Sequence, residues 1–178
     1  MHTRSLCTLL LALPLAAQQS SSSKEYLDEF EHSCRQVMGL AEATPEGKYS
    51  WRPAAGIRSF SEVYMHIVGG NLMLLGIAGV KQPGGLETPP NIPTIRKWEE
   101  GFSAKKDVLA WLKRGCDAVP PAWRAETPQS LARMVDFFGS QRSVHGIYLR
   151  LLVHQNEHMG QLVAYARTNG IRPPWAKE

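Results

Sequence analysis

The sequence predicts an all-α protein, a four-helix bundle with long loops. Apolar residues recur at spacings of three and four over four segments, most of them about 20 residues long, as expected of amphipathic helices. No run of alternating apolar and polar residues predicts a convincing β-strand, and stretches rich in Pro and Gly separate the segments. A chain of 178 residues is long enough to bury the core of one such domain.

The N-terminal segment, residues 1–17, has the composition of a secretory signal peptide. Arg4 precedes the apolar run Leu6–Ala17, which is too short to cross a bilayer because a spanning helix needs about 20 apolar residues. We expect cleavage after Ala17 and a bundle domain over residues 18–178. The mature protein would be periplasmic or secreted, with no stable membrane span. A disordered or anchoring N-terminus is the alternative.

The first two helices are predicted from their capping residues. Ser22 and Glu25 have the spacing of a capping box, so we expect the first helix to begin near Ser22 and to end before Pro45. A second box, Ser59 to Glu62, begins a helix that runs to about Gly79.

The second half of the chain contains two more predicted helices. The stretch from Gln82 to Pro93 predicts a loop, and a third helix is expected from about Ser103 to Ala118, ended by Pro120–Pro121. The pattern of Met134–Phe138 fits either a helical turn or an extended segment. The last helix is expected to begin near Ser140 or Ser143 and to run to Asn169, with Gly170 as its C-terminal cap.

Charge and cysteine content limit the partners. The formal net charge of +4 falls by one when Arg4 leaves with the leader, and no aromatic residues alternate with the basic ones to stack bases, so nucleic acid is excluded. Export permits a disulfide between Cys34 and Cys116. Both lie on apolar helix faces, however, and buried free thiols are the simpler interpretation.

Two histidines in the last helix indicate a metal site. His154 and His158 are one turn apart, so both imidazoles can reach one divalent ion. Arg150 and Gln161 continue the same stripe, and a bundle does not bury polar groups in line without giving them partners. Both are candidates for orienting a ligand or substrate. Glu157 is the remaining acidic candidate, although a solvated position is the more ordinary one.

His66 is the expected third ligand. It lies on the second helix, four residues after Glu62, which could either orient His66 or serve only in the capping box. Gly69 and Gly70 follow and would let another helix approach closely. The remaining histidines lie on other faces or in the leader: His2, His32 and His145.

Three stretches carry a resemblance to a known family: Trp51–Pro53 with Gly56–Phe60, His154–Leu162, and Tyr165–Pro174. They resemble the DinB-like (DinB/YfiT) family of metalloenzymes. The resemblance implies a four-helix bundle in which His66, His154 and His158 hold one divalent metal ion, zinc or nickel. It also implies kinship with thiol-dependent transferases and isomerases, and often a homodimer.

The function expected on these grounds is that of an exported metal-binding protein. It would act on a small-molecule substrate as a metal-dependent hydrolase or a thiol-dependent transferase. The alternatives are a metal-binding or protein-interaction module without turnover, and a helical scaffold with an empty histidine cluster. The sequence suggests no general base beyond the residues named above.

Overall fold

The computed structural model describes residues 15–81 and 92–176 of the chain. The predicted leader, residues 1–17, lies outside this range apart from Leu15–Ala17. A short 3-10 turn at Glu46–Lys48 follows the first helix. The helices and strands have these bounds: α1 Leu15–Ala43, α2 Phe60–Ile77, α3 Ile92–Glu99, α4 Lys105–Arg124, α5 Pro128–Ala132, β1 Met134–Phe137, β2 Ser140–Ser143 and α6 Val144–Thr168.

The long helices α1, α2, α4 and α6 form the predicted bundle. Helix α2 packs against α4 and α6, and α1 packs against the same two, so α1 and α2 lie across the bundle from each other. Gly115 of α4 is part of this packing, since a Cβ there would lie 3.1 Å from Val68 of α2. The all-α fold expected from the periodicity is confirmed.

Helix α2 is the core helix, and both of its ends are fixed by local signals. Ser59 accepts from the backbone N–H of Glu62 while the Glu62 carboxylate accepts from the backbone of Ser59, which is the predicted capping box. Gly79, with a φ of 84°, ends it. Within the described part of the chain, Phe60–Ile77 alone has the length and apolar composition of a membrane span, and 78% of it is buried inside the protein. That burial is what a bundle's core helix shows.

Helix α6 also follows its sequence signals. Ser143 caps it by accepting from the backbone N–H of Gly146 at 3.1 Å. At its other end Gly170 has a φ of 69°, which glycine adopts without strain. The N–H of Ile171 then reaches the carbonyl of Ala166 at 2.8 Å, closing the helix end.

The predicted start of α1 and the predicted end of α4 were wrong. Helix α1 already includes Leu15 and the residues up to the predicted start near Ser22, because neither Gly nor Pro interrupts them. Helix α4 continues through Pro120–Pro121 to Arg124. Trp123 explains that continuation: it is buried, and its indole N–H donates to Ser23 of α1 at 2.7 Å. Tertiary packing thus offsets the helix bonds that two prolines remove.

The segments between the long helices contain structure that the sequence pattern did not predict. The predicted loop Gln82–Pro93 is mostly outside the described residues, but Ile92 and Pro93 already belong to α3, which packs on α2. Residues Met134–Phe138, left open between a helical turn and an extended segment, form strand β1 and the turn of an antiparallel hairpin. The expectation of no strand is corrected by this two-stranded sheet.

Cys34 and Cys116 form a disulfide between α1 and α4, with their Cα atoms 6.0 Å apart. The interpretation of both as buried free thiols was therefore wrong. Each cysteine is buried on its own helix, as expected, but the two helices place them side by side across 82 residues of sequence.

A polar layer divides the apolar core. One apolar cluster surrounds Phe60 and Leu162, and a second surrounds Leu74 and Leu151. Between them Asn71 of α2 donates to Gln155 of α6 at 3.1 Å, and Gln155 donates to the Cys34 sulfur. Asn71 and Gln155 are fully buried, so the middle of the bundle is specified by polar contacts.

Candidate metal centre

The predicted histidines of α2 and α6 meet at one point. Their ring centroids lie 5.0 Å apart for His66 and His154, 4.5 Å for His66 and His158, and 4.6 Å for His154 and His158. One nitrogen from each of the three comes within 4.8 Å of the others. This is the one group of its kind found among the described residues.

The spacing of the nitrogens fits a metal ion. Zinc–imidazole bonds are about 2.0–2.1 Å long, so two ligands of a tetrahedral ion lie roughly 3.3 Å apart. Nε2 of His66 and Nε2 of His154 are 3.2 Å apart. Nδ1 of His154 is buried without a hydrogen-bond partner, which is unusual for a polar atom in a protein interior. The donor set and the separation of the two Nε2 atoms suit one divalent ion supplied from outside the chain, and they leave Nδ1 of His154 outside the coordination.

Gly70 makes the room that His154 needs. A Cβ at this position would lie 2.2 Å from Cε1 of His154 and 2.7 Å from its Nδ1. Any larger side chain on α2 would therefore displace the ring from α6. The close approach expected at the glycines of this helix occurs at Gly70, against the imidazole itself.

His66 is oriented by Glu99, a residue that the sequence analysis did not identify. The carboxylate of Glu99 lies 2.6 Å from Nδ1 of His66 and 2.7 Å from Nε of Arg58. A carboxylate is an acceptor, so Nδ1 carries the proton and Nε2 presents its lone pair to the other histidines. Glu99 ends α3, and Pro93 in the first turn of that short helix was the one sequence signal for it.

The charge of Glu99 is secured by its partners. Burial raises the pKa of this carboxyl group, but the hydrogen bonds and charges of His66 and Arg58 outweigh burial and hold the pKa below its usual value. Glu99 is fully buried and ionised near neutral pH, and it keeps His66 in the tautomer that suits a ligand.

His158 is held in the same way by a neutral chain of hydrogen bonds. Nδ1 of His158 lies 3.0 Å from Oε1 of Gln161, whose amide donates to the Tyr165 hydroxyl at 2.8 Å. That hydroxyl donates to the carbonyl of Arg58 at 3.1 Å. Gln161 therefore lies beside the cluster, and this chain leaves Nε2 of His158 free to bind.

Burial disfavours the charged form of the two α6 histidines. It lowers the pKa of His154 to about 3, with further lowering from the charges of His158 and His66. Burial also lowers the pKa of His158, against the opposing effect of the hydrogen bond that its Nδ1–H donates to Gln161. Neutral imidazole is the form that binds metal, so both α6 histidines are ready to do so at neutral pH.

The other predicted site residues lie further out. Glu62 serves the capping box and pairs with Arg52, whereas the carboxylate beside Nδ1 of His66 is that of Glu99. Arg150 donates to Glu157 at 2.8 and 3.1 Å on the surface of α6. The hydrogen bond from Arg150 lowers the pKa of Glu157, whose side chain is half exposed.

A cavity of about 260 Å³ opens beside the histidines. Its walls combine the three imidazoles with apolar side chains and two arginines, Arg58 and Arg150. Two larger grooves, along α1, contain no histidine. The arrangement offers three imidazole nitrogen ligands next to a space for a small molecule.

Both the sequence and the fold are similar to those of known proteins. The model of the DinB superfamily matches residues 29–162. The structure is similar to that of a DinB-like protein from Bacillus cereus, with a TM-score of 0.71 and 21% sequence identity, covering 86% of this chain and 97% of the other. It is also similar to a DinB-like protein from Bacillus subtilis, with a TM-score of 0.62 and 19% identity, covering 82% and 92%. A comparison with curated proteins gives no match.

Proposed function

Because this chain belongs to the DinB superfamily, we propose that it is an exported metal-dependent enzyme that uses His66, His154 and His158 to bind one divalent ion. Zinc or nickel suits a site made only of imidazoles. The reaction is a hydrolysis or a thiol-dependent group transfer on a small molecule. The single observation that carries the proposal is the meeting of three imidazoles at the wall of a cavity.

An open coordination position favours catalysis over a structural role. Structural zinc sites have four protein ligands, whereas catalytic sites have three and leave a position for substrate or water. The cluster has three members, and no fourth His, Cys, Asp or Glu joins it among the described residues. When bound, the ion would supply a Lewis acid that polarises a group in that position.

The chain's own residues have separate tasks in this proposal. Glu99 and Gln161 hold the proton on Nδ1 of His66 and His158, which aims each Nε2 lone pair at the common centre. Leu74 and Ile95 line the cavity and exclude water from part of it. Glu99, the carboxylate that contacts His66, is already engaged by His66 and Arg58.

Export is part of the proposal. The leader-like residues 1–17 support it, and so does the disulfide between Cys34 and Cys116, since disulfides persist mainly in oxidising compartments. The polar contacts of Gln155 with the Cys34 sulfur link that disulfide to the helix that carries His154.

Metal content tests the proposal. The mature protein, purified without a histidine tag or chelator, is compared by elemental mass spectrometry with the double variant His154→Ala, His158→Ala. We expect about one zinc or nickel per chain, lost in the double variant and retained in His32→Ala, which changes an exposed histidine of α1. Absence of metal from folded wild-type protein after adding zinc or nickel would refute the proposal. Protein that holds metal is then assayed with ester, amide and thiol-transfer substrates.

A further inference from the structure

The hairpin tip beside the histidine cavity has a costly conformation. Phe137 pairs with Ser140, so Phe138 and Gly139 form a two-residue turn in which both have positive φ, 51° and 82°. Such turns favour Asn, Asp or Gly at the first position, and a phenylalanine there is strained. Phe138 is also 59% exposed, the largest exposed fraction given for a large apolar side chain in the described residues. The fold does not need this ring, which points to a functional reason for it.

The position of Phe138 supplies that reason. Its ring lies 4.8 Å from that of Phe137, edge to face, and both line the cavity that contains the three histidines. Met73, Leu74 and Ile95 complete the apolar part of the wall. An aromatic residue that is strained, exposed and at the mouth of a cavity is suited to cover the apolar body of a small molecule.

The charged side chains that line the cavity are two arginines. Arg58 and Arg150 line the cavity, while no acidic residue is among the described lining residues. Arg58 lies beside His66 through their common partner Glu99, and Arg150 lies one turn before His154 on α6. A bound divalent ion would add further positive charge. Glu99 already neutralises Arg58, so the binding of an anionic group close to the histidines would depend on Arg150.

Arg150 is the arginine that can bind such a group. Arg58 is committed to the buried carboxylate of Glu99, whereas the partner of Arg150 is Glu157, whose side chain is 50% exposed. Exposed ion pairs contribute little to stability, so the guanidinium of Arg150 can exchange Glu157 for a ligand carboxylate at small cost. A guanidinium binds a carboxylate through two parallel hydrogen bonds, which gives direction as well as charge.

We propose that the substrate of this site is a small amphiphilic carboxylate, with its apolar body against Phe137 and Phe138 and its carboxylate on Arg150. This inference rests on the proposed metal-dependent function and specifies the class of molecule on which it acts. The cavity of about 260 Å³ is near the lower end of ligand sites in proteins, so the substrate is a compact molecule.

Three probes of matched shape test the inference by NMR titration: 4-phenylbutyrate, neutral 4-phenylbutanol, and butyrate, which lacks the ring. The titrations use metal-free protein first, because the carboxylate then meets only the side chains of the chain. We expect 4-phenylbutyrate to bind about tenfold more tightly than either other probe. Signals from the hairpin and from the α6 histidines should shift together.

Two variants with matched controls assign the contacts. Arg150→Gln should remove the preference for 4-phenylbutyrate over 4-phenylbutanol, while Arg167→Gln, an exposed arginine of the same helix, should keep it. Phe138→Asn relaxes the turn and removes the ring, so both ring-bearing probes should weaken severalfold in a protein that remains folded. Met134→Gln changes an exposed residue of the same hairpin and should leave binding unchanged.

The outcomes separate this inference from the proposed function. Equal binding of the charged and neutral probes by wild type, or an unchanged preference in Arg150→Gln, would overturn the inference even in a protein that holds its metal. Absence of metal from the purified protein refutes the proposed function alone, because the metal-free titrations still decide which molecules the cavity binds.

Discussion

The Glu99 carboxylate lies 2.6 Å from Nδ1 of His66 and 2.7 Å from Nε of Arg58, so one buried acid orients a candidate metal ligand and neutralises a neighbouring cation. This contact joins α3 to α2 at the point where the histidines meet.

Replacing Glu99 with Ala should weaken zinc binding by about 10- to 100-fold, the usual effect of losing a carboxylate that orients a histidine ligand. Competition with a chromophoric chelator measures this affinity. Glu99→Gln, which keeps an acceptor for the Nδ1 proton, should fall between wild type and Glu99→Ala. Glu100→Ala changes the exposed neighbour and should bind zinc like wild type. Wild-type affinity in Glu99→Ala would show that His66 does not depend on this contact.

Replacing Gly70 with Ala should destabilise the protein, although Ala in a helix interior is ordinarily favoured over Gly by about 1 kcal/mol. The reason is the 2.2 Å separation between the added Cβ and Cε1 of His154. Urea unfolding of the metal-free protein measures the change. In a His154→Ala background the ring is gone, so Gly70→Ala should become neutral or stabilising. The same destabilisation in both backgrounds would mean that the ring is not the obstacle.

The stability of the metal-free protein should fall as the pH is lowered from neutrality. Burial lowers the pKa of His154 to about 3, whereas an unfolded chain has the ordinary histidine value of 6.5. Between these values the unfolded chain binds a proton that the folded chain does not, so the free energy of unfolding decreases with falling pH. His154→Gln should lose less stability between pH 7 and pH 4, by on the order of a few kcal/mol. His32→Gln should follow wild type, and parallel curves for all three proteins would contradict the prediction.

Removing the disulfide should lower stability without changing the fold. The bond closes a segment of 82 residues, and loops of this size correspond to about 4 kcal/mol, within a general range of about 2–5 kcal/mol. The variant Cys34→Ala, Cys116→Ala, unfolded by urea, measures the loss. Wild-type protein kept in a strong reductant is the control and should lose a similar amount. A loss well below 1 kcal/mol would mean that bundle packing alone holds α1 against α4.

Local signals allowed most of the bundle to be predicted from the sequence. Capping residues such as Ser59 and Ser143 act within one helical turn, and the period of apolar residues identifies the buried face. The histidine pair of α6 was visible for the same reason, because its members are one turn apart.

The features that were missed depend on residues distant in the sequence. Glu99 meets His66 across 33 positions, and Cys34 meets Cys116 across 82. The spacing of apolar residues along one helix contains no information about either contact. Helix α4 continues past Pro120–Pro121 because Trp123 is buried against other helices, a tertiary effect that overrides the local preference of proline.

The three histidines come from two helices that are far apart in the sequence. His154 and His158 share one helix, while His66 lies 88 positions earlier on another. A chain that ends before α6 lacks two of the three histidines. A chain in which only α6 has formed offers the ion two imidazoles, which bind it weakly. If the site binds a metal ion, tight binding would require α2 and α6 to be packed together, so a chain without a folded α6 would not hold the ion tightly.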